Sequence, residues 1–176
     1  MKFTLLTHTK EIAKRSNTGR LVVDLLGSSA EQVLWDRTRP PARLVEEIEA
    51  GGVALIYPGT EDETSGDLAG IRHFILIDST WQEARKIHQR SPYLQKVRRI
   101  SLKTTHKSEY ILRKNQKKSG LCTVECVIEI LRSAGQTEKA DHMQASFFAF
   151  MNQSGAKCRP LHEPNTPTIK DMDNDL

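Results

Sequence analysis

An α/β fold, with a mostly parallel sheet and helices on both faces, is what this sequence predicts. Three observations point to it. The runs VALIY and FILI are continuously apolar, as strands covered on both faces are. They alternate with stretches whose apolar residues recur at helical spacing. At 176 residues the chain is one domain, long enough to bury a proper core.

Residues 2–7 read as the first strand, followed by a polar turn. A helix spans 17–26, with Asn17 or Thr18 as its cap. A short strand is expected around 33–35. Pro40 and Pro41 then open a helix that runs to Glu49 and stops at Gly51 and Gly52. Residues 53–57 form a buried strand ending at Pro58 and Gly59, and 60–70 form an acidic surface loop. The next buried strand is 74–77, followed by a helix at 81–89. Segments 98–102 and 110–112 read as short strands. A helix at 121–133 puts Val124, Val127, Ile128 and Leu131 on one stripe, and a last helix covers about 137–151. The domain therefore takes up residues 1–155, and 156–176 form a loose tail rich in Pro and Asn and then in acids.

Hydrophobic residues make up 38% and charged residues 27%, which fits a soluble globular protein rather than a disordered one. No apolar run approaches the length of a membrane helix, so no membrane partner is expected. The apolar part of MKFTLLTHTKEIAKR is too short for a signal peptide. Cys122, Cys126 and Cys158 are odd in number and lack framework spacing, which reads as reduced thiols in a cytoplasmic protein. Cys122 and Cys126 have the spacing of a metal pair, but no second pair completes it. Buried or half-buried thiols are the simpler reading.

Charge is uneven. From Gln82 to Lys118 there are twelve Lys and Arg against two Glu, whereas the chain as a whole carries +4. Such a block suits a polyanionic partner, with a merely solvated face as the alternative.

In a parallel sheet covered on both faces, ligands bind outside the carboxyl ends of the strands. That rule brings Pro58 and Gly59 to the same rim as Asp78, Ser79, Thr80 and Trp81. Thr80 and Glu83 fit a capping box and need no further role. Asp78 is different, because it closes a strand that should be buried. It is either paired or poised in a cleft. Trp81 is a core residue or a platform for a base or a cation.

Before the helix at 17–26, Ser16 to Arg20 offer backbone N–H groups suited to an anion, with a plain cap at Asn17 as the alternative. Arg20 opposes the helix dipole there, so a partner is expected for it. Gly120 marks a turn, and Thr123 and Glu125 open a helix. The histidines are scattered, and His8, His88 and His106 read as surface residues. Dinucleotide and triphosphate loops, the hydrolase elbow and the HExxH zinc motif do not occur.

In this order, SNTGRLVVDLL, ALIYPG, IDSTW with QEARKI and SPYL, SEYILR, and GLCTVE resemble the DTW-domain family, named for its D-x-T-W signature. The resemblance runs from about Ser16 to Leu131. It implies a knotted fold of the SPOUT type. It also implies a tRNA-uridine aminocarboxypropyltransferase, which moves the 3-amino-3-carboxypropyl group of S-adenosylmethionine to N3 of a uridine in tRNA. A SPOUT-type methyltransferase using the same cofactor, or a non-catalytic RNA-binding module, are the alternatives. This chain begins at its first strand, without the N-terminal cysteine cluster that many members carry, and no metal is expected.

On that resemblance, Asp78 either takes the N3 proton or orients the uridine. Trp81 stacks on the base or faces the sulfonium. Arg20 and Arg113 are candidates for the methionine carboxylate or an RNA phosphate. Tyr57, Pro58 and Gly59 form a rim loop against adenine. Leu121, Thr123 and Glu125 face the cofactor, with Glu125 able to bind an amino group. Arg85, Lys86, Arg90, Arg98, Arg99, Lys114, Lys117 and Lys118 hold the tRNA backbone.

Overall fold

The computed structural model describes residues 1–58, 68–102, 108, 110 and 120–153. Five parallel strands form one sheet: β1 (Lys2–Thr7), β2 (Ala30–Leu34), β3 (Val53–Ile56), β4 (His73–Asp78) and β5 (Arg98–Ile100), in the order β2-β1-β4-β3-β5. Among them run α1 (Thr9–Ile12), α2 (Thr18–Leu26), α3 (Ala42–Ala50), α4 (Trp81–Gln89), α5 (Pro92–Gln95), α6 (Thr123–Ser133) and α7 (Thr137–Gln153).

The three central strands are largely apolar on both faces, and their pleat divides the core in two. Phe3 and Leu5 of β1, Ala54 of β3, and Phe74 and Leu76 of β4 pack under α2, α6 and α7. Leu6, Leu55 and Ile75 alternate with them and pack under α3, α4 and α5. The α/β class with helices on both faces is therefore what the sequence led us to expect. The knotted threading that the resemblance implies falls on the connection between β5 and α6, where residues 103–107, 109 and 111–119 lie outside the described residues.

Some elements differ from the sequence reading. β2 occupies 30–34 rather than 33–35, although Glu31 and Gln32 are polar. As an edge strand it needs no second covered face, and Lys2 satisfies Glu31 at 2.9 Å. The polar turn after β1 contains α1, and a further short helix, α5, opens at Pro92. α6 begins at Thr123, not Leu121. Of the expected strand 110–112 only Tyr110 is described. It is buried, and its hydroxyl donates to the Ser16 carbonyl.

At the amino ends of the strands a polar cluster ties α3 to the sheet. Lys2 Nζ lies 2.8 Å from Glu47, and the buried imidazole of His73 meets the same carboxylate through Nδ1 at 2.9 Å. The Nε2 of His73 is 2.8 Å from the Thr4 hydroxyl.

Candidate active site

The strand order fixes where a crevice opens. β1 and β4 are neighbours, but the chain leaves them toward opposite faces: α2 after β1 packs on one, α4 after β4 on the other. That divergence is a topological switch point, the usual ligand position in open parallel sheets. Thr7 and Asp78, the last residues of the two strands, pair there.

Asp78 is 1% exposed. Its Oδ1 accepts a hydrogen bond from the Thr123 hydroxyl at 2.7 Å, and its Oδ2 accepts from the Thr7 hydroxyl at 3.3 Å and from Gln32 Nε2 at 3.4 Å. A carboxylate only accepts, so these donors satisfy the burial that would otherwise disfavour its charge. The groups come from β1, β2 and α6. On the α2 side Gly19 presses so close that a Cβ there would stand 2.6 Å from Oδ2, so no larger residue fits.

Asn17 caps α2, its Oδ1 accepting from the N–H groups of Gly19 (2.7 Å) and Arg20 (3.3 Å). The plain-cap alternative therefore stands. Arg20 is exposed and forms no ion pair among the described residues.

Thr80 caps α4 as expected, accepting from the Glu83 N–H at 3.4 Å. The Glu83 carboxylate faces Lys86 (3.4 Å) and His8 Nε2 (3.7 Å). That holds the first α4 turn against the end of β1.

Beside Asp78 lies a cavity of about 300 Å³. Tyr57, Pro58, Trp81, Leu121 and Thr123, all singled out from the sequence, line it together. Ser79, placed on the rim with Asp78, lines it too, and Ile56, Leu76, Ser101, Leu102, Gly120 and Cys126, which sequence reasoning had not assigned to a site, complete much of the wall. The signal for several was available, since Ile56 and Leu76 lie at or near the carboxyl ends of strands. The described lining carries no ionised side chain: hydroxyls and one indole are set among apolar groups. Such a wall suits a nucleoside, with the indole free to face a ring or a cation.

Trp81 is placed by the absence of a side chain at Gly120. A Cβ there would lie 2.9 Å from the indole Nε1 and Cζ2. Tyr57 is backed by His88, with ring centroids 4.6 Å apart and planes 22° apart. His88 is thus half-buried, not the surface residue expected, and its Nε2 has no hydrogen-bond partner among the described residues. Burial, and then the charge of Arg99, pushes its pKa below the usual histidine value. His8 is also half-buried, stacked beside Trp35, and His106 lies outside the described residues.

The Cys126 thiol, pushed up to about 12 by burial and then by the nearby Glu125 and Glu129 carboxylates, stays protonated at neutral pH. Burial raises Cys122 as well.

Glu125 is not in the cavity wall. Its Oε2 accepts from the Cys122 N–H at 2.7 Å and the Ser108 hydroxyl at 2.6 Å, which closes the first turn of α6. Arg85, Lys86 and Arg90 are exposed on and just after α4, and Arg98 and Arg99 on the edge strand β5. Gly59, Arg113, Lys114, Lys117 and Lys118 lie outside the described residues. Among the described residues no group of three or more His, Cys, Asp or Glu is placed to hold a metal, and no helix is long and apolar enough to cross a membrane.

The family model described as "DTW domain" matches residues 1–155. The chain belongs to the DTW-domain family. Two proteins named tRNA-uridine aminocarboxypropyltransferase 2 are similar to this DTW-domain chain. That of Drosophila melanogaster is 28% identical over 138 residues, which is 74% of this chain and 55% of that protein. That of Macaca fascicularis is 27% identical over 126 residues, 61% of this chain and 39% of that protein. The DTW-domain chain thus spans about half, or less, of the length of these relatives. No solved structure matches it.

Proposed function

We propose that this chain is a cytoplasmic tRNA-uridine aminocarboxypropyltransferase using S-adenosylmethionine. One observation carries the reading: the Asp-x-Thr-Trp segment and the start of α6 meet at the switch point, around one uncharged cavity. The names of the two relatives support the same chemistry.

In this reading Tyr57, Pro58, Leu121 and Thr123 hold the nucleoside part of the donor, and Trp81 faces its sulfonium or the uracil ring. Arg20, exposed at the start of α2 with Gly19 against Asp78, holds the donor's carboxylate. The uridine N3 proton passes to solvent water, N3 bonds to the carbon beside sulfur, and the carbon–sulfur bond breaks. Its electron pair stays on sulfur, and methylthioadenosine leaves. Because three donors occupy Asp78, its orienting role is favoured over that of a free base. Asp78 holds Thr123, and through it the mouth of α6, against the reacting groups. The exposed cations of α4 and β5, with Lys114, Lys117 and Lys118, hold the tRNA backbone, and Arg113 serves either ligand. Glu125 orders the α6 turn, and Gly59 continues the rim.

Incubating the protein with tRNA and S-adenosylmethionine tests this directly. Methylthioadenosine and an aminocarboxypropylated uridine are expected. S-adenosylhomocysteine would mean methyl transfer instead. Binding of tRNA without calorimetric binding of S-adenosylmethionine would mean a non-catalytic module. Asp78→Ala is expected to lower transfer by at least about a hundredfold, with tRNA affinity within a few-fold of the parent. Activity near the parent's would remove Asp78 from the mechanism.

A further inference from the structure

The sheet order places a second set of cations at the β1 and β2 strand ends, across the rim from those of β5. Along the carboxyl rim the strand ends run β2, β1, β4, β3, β5, with Asp78 and the cavity at β4 and β3. Lys10 and Arg15 lie in the segment leaving β1, and Arg37 in the segment leaving β2. Both segments are tied to the rim: the His8 N–H reaches the Asp78 carbonyl at 3.4 Å, and the Trp35 N–H reaches the Thr7 carbonyl at 2.9 Å. All three cations are exposed, and none forms an ion pair among the described residues.

Acids in the same segments are already engaged. Glu11 is buried and bound to Lys14 at 2.6 Å. Asp36 accepts from the Thr38 N–H at 2.7 Å, the Thr38 hydroxyl at 2.8 Å and the Arg39 N–H at 3.2 Å. Elsewhere, Lys2 and Arg43 are matched by carboxylates. Exposed positive charge therefore flanks the crevice on both sides. Arg37 after β2 and the arginines of β5 stand at opposite edges of the sheet, four strand spacings or about 19 Å apart.

We infer that the β1–β2 end of the rim is a second RNA-binding surface, where Lys10, Arg15 and Arg37 contact phosphates so that the RNA straddles the crevice. It rests on the proposed function, which requires an RNA partner, and adds where that partner lies. A folded RNA gripped on two sides presents the base between them to the cavity. Contact along α4 and β5 alone would leave it free to pivot.

The test measures binding of bulk tRNA across a salt series. Lys10→Glu, Arg15→Glu and Arg37→Glu are compared singly and together with Lys139→Glu. Lys139 is an exposed lysine of α7 beside a separate cleft that reaches Met1 and Phe3. Each substitution changes net charge equally, so a non-specific effect moves all four alike. Each rim reversal is expected to raise Kd several-fold and lower the salt slope by about 1. Lys139→Glu should change neither, and S-adenosylmethionine binding should stay at the parent's level in every variant. Rim reversals no worse than Lys139→Glu would overturn the second surface while leaving the enzymatic reading intact. A parent protein that binds no tRNA would overturn both.

Discussion

Gly120 owes its identity to its neighbour, since the Trp81 indole occupies the space a side chain would need. A methyl group there forces the ring toward the cavity, and overpacking of this kind costs about 1–3 kcal/mol. Gly120→Ala is expected to weaken S-adenosylmethionine binding roughly tenfold, read by calorimetry. Adding Trp81→Phe, which removes the ring edge that would be struck, should recover part of the fold stability, read by thermal melts. Cys126 gives a second expectation at this scale. A thiol held near 12 is almost wholly protonated at pH 7.5, and the thiolate is the nucleophile. Iodoacetamide should modify Cys126 far more slowly than free cysteine, and raising the pH to 9 should leave it resistant. Rapid labelling at pH 7.5, located by peptide mass spectrometry, would contradict this. The sequence drew attention to Asp78 and Trp81 because a buried carboxylate and a rim indole lack a structural excuse. Thr7 and Gln32 gave no such signal as ligands of Asp78, nor did Gly19 as the residue packed against it. Their role exists only through strand order, which spacing along the chain does not reveal.

Among the elements, the apolar strands were the most legible, because burial on both faces writes itself as unbroken hydrophobic runs. β2 was read short, since its polar residues are satisfied by other strands: Glu31 by Lys2 and Thr4 of β1, and Gln32 by Asp78 of β4. The cluster joining β1, β4 and α3 has a pH consequence. Hydrogen bonding from Lys2 holds the Glu47 carboxyl below its ordinary value of 4.5, despite its partial burial. For Glu31 burial works upward, but bonds from Lys2 and Thr4 prevail and hold it down as well. Burial pushes His73 below 6.5. The signs agree. A depressed carboxyl stabilises the fold above pH 4.5, and that contribution is lost as pH falls through the folded value. A depressed histidine penalises the fold as pH drops below 6.5, where the unfolded chain takes up a proton first. The melting temperature should therefore decline from pH 7 toward pH 4. Glu47→Gln should lower it at pH 7 and, by removing a carboxylate that favours protonated His73, steepen the decline just below pH 6.5; an unchanged pH profile would mean that the cluster contributes little.

For the molecule as a whole, α6 and α7 close one face of the sheet, and all five described strands precede both. A chain ending at residue 120 would expose Phe3, Leu5, Phe74 and Leu76 together. It is expected to lose cooperative unfolding and near-ultraviolet circular dichroism while binding a hydrophobic dye; a sharp melt would show that the first five strands suffice. The class of fold was legible at this scale, but the meeting of residues 7, 19, 32, 78 and 123 around one carboxylate was not. That meeting bears on the protein's synthesis. Asp78 leaves the ribosome long before Thr123, so until α6 has emerged and docked the carboxylate lacks its shortest bond and the cavity lacks a wall. The site is therefore assembled late, and the order of translation alone keeps a half-made chain from presenting a finished cavity.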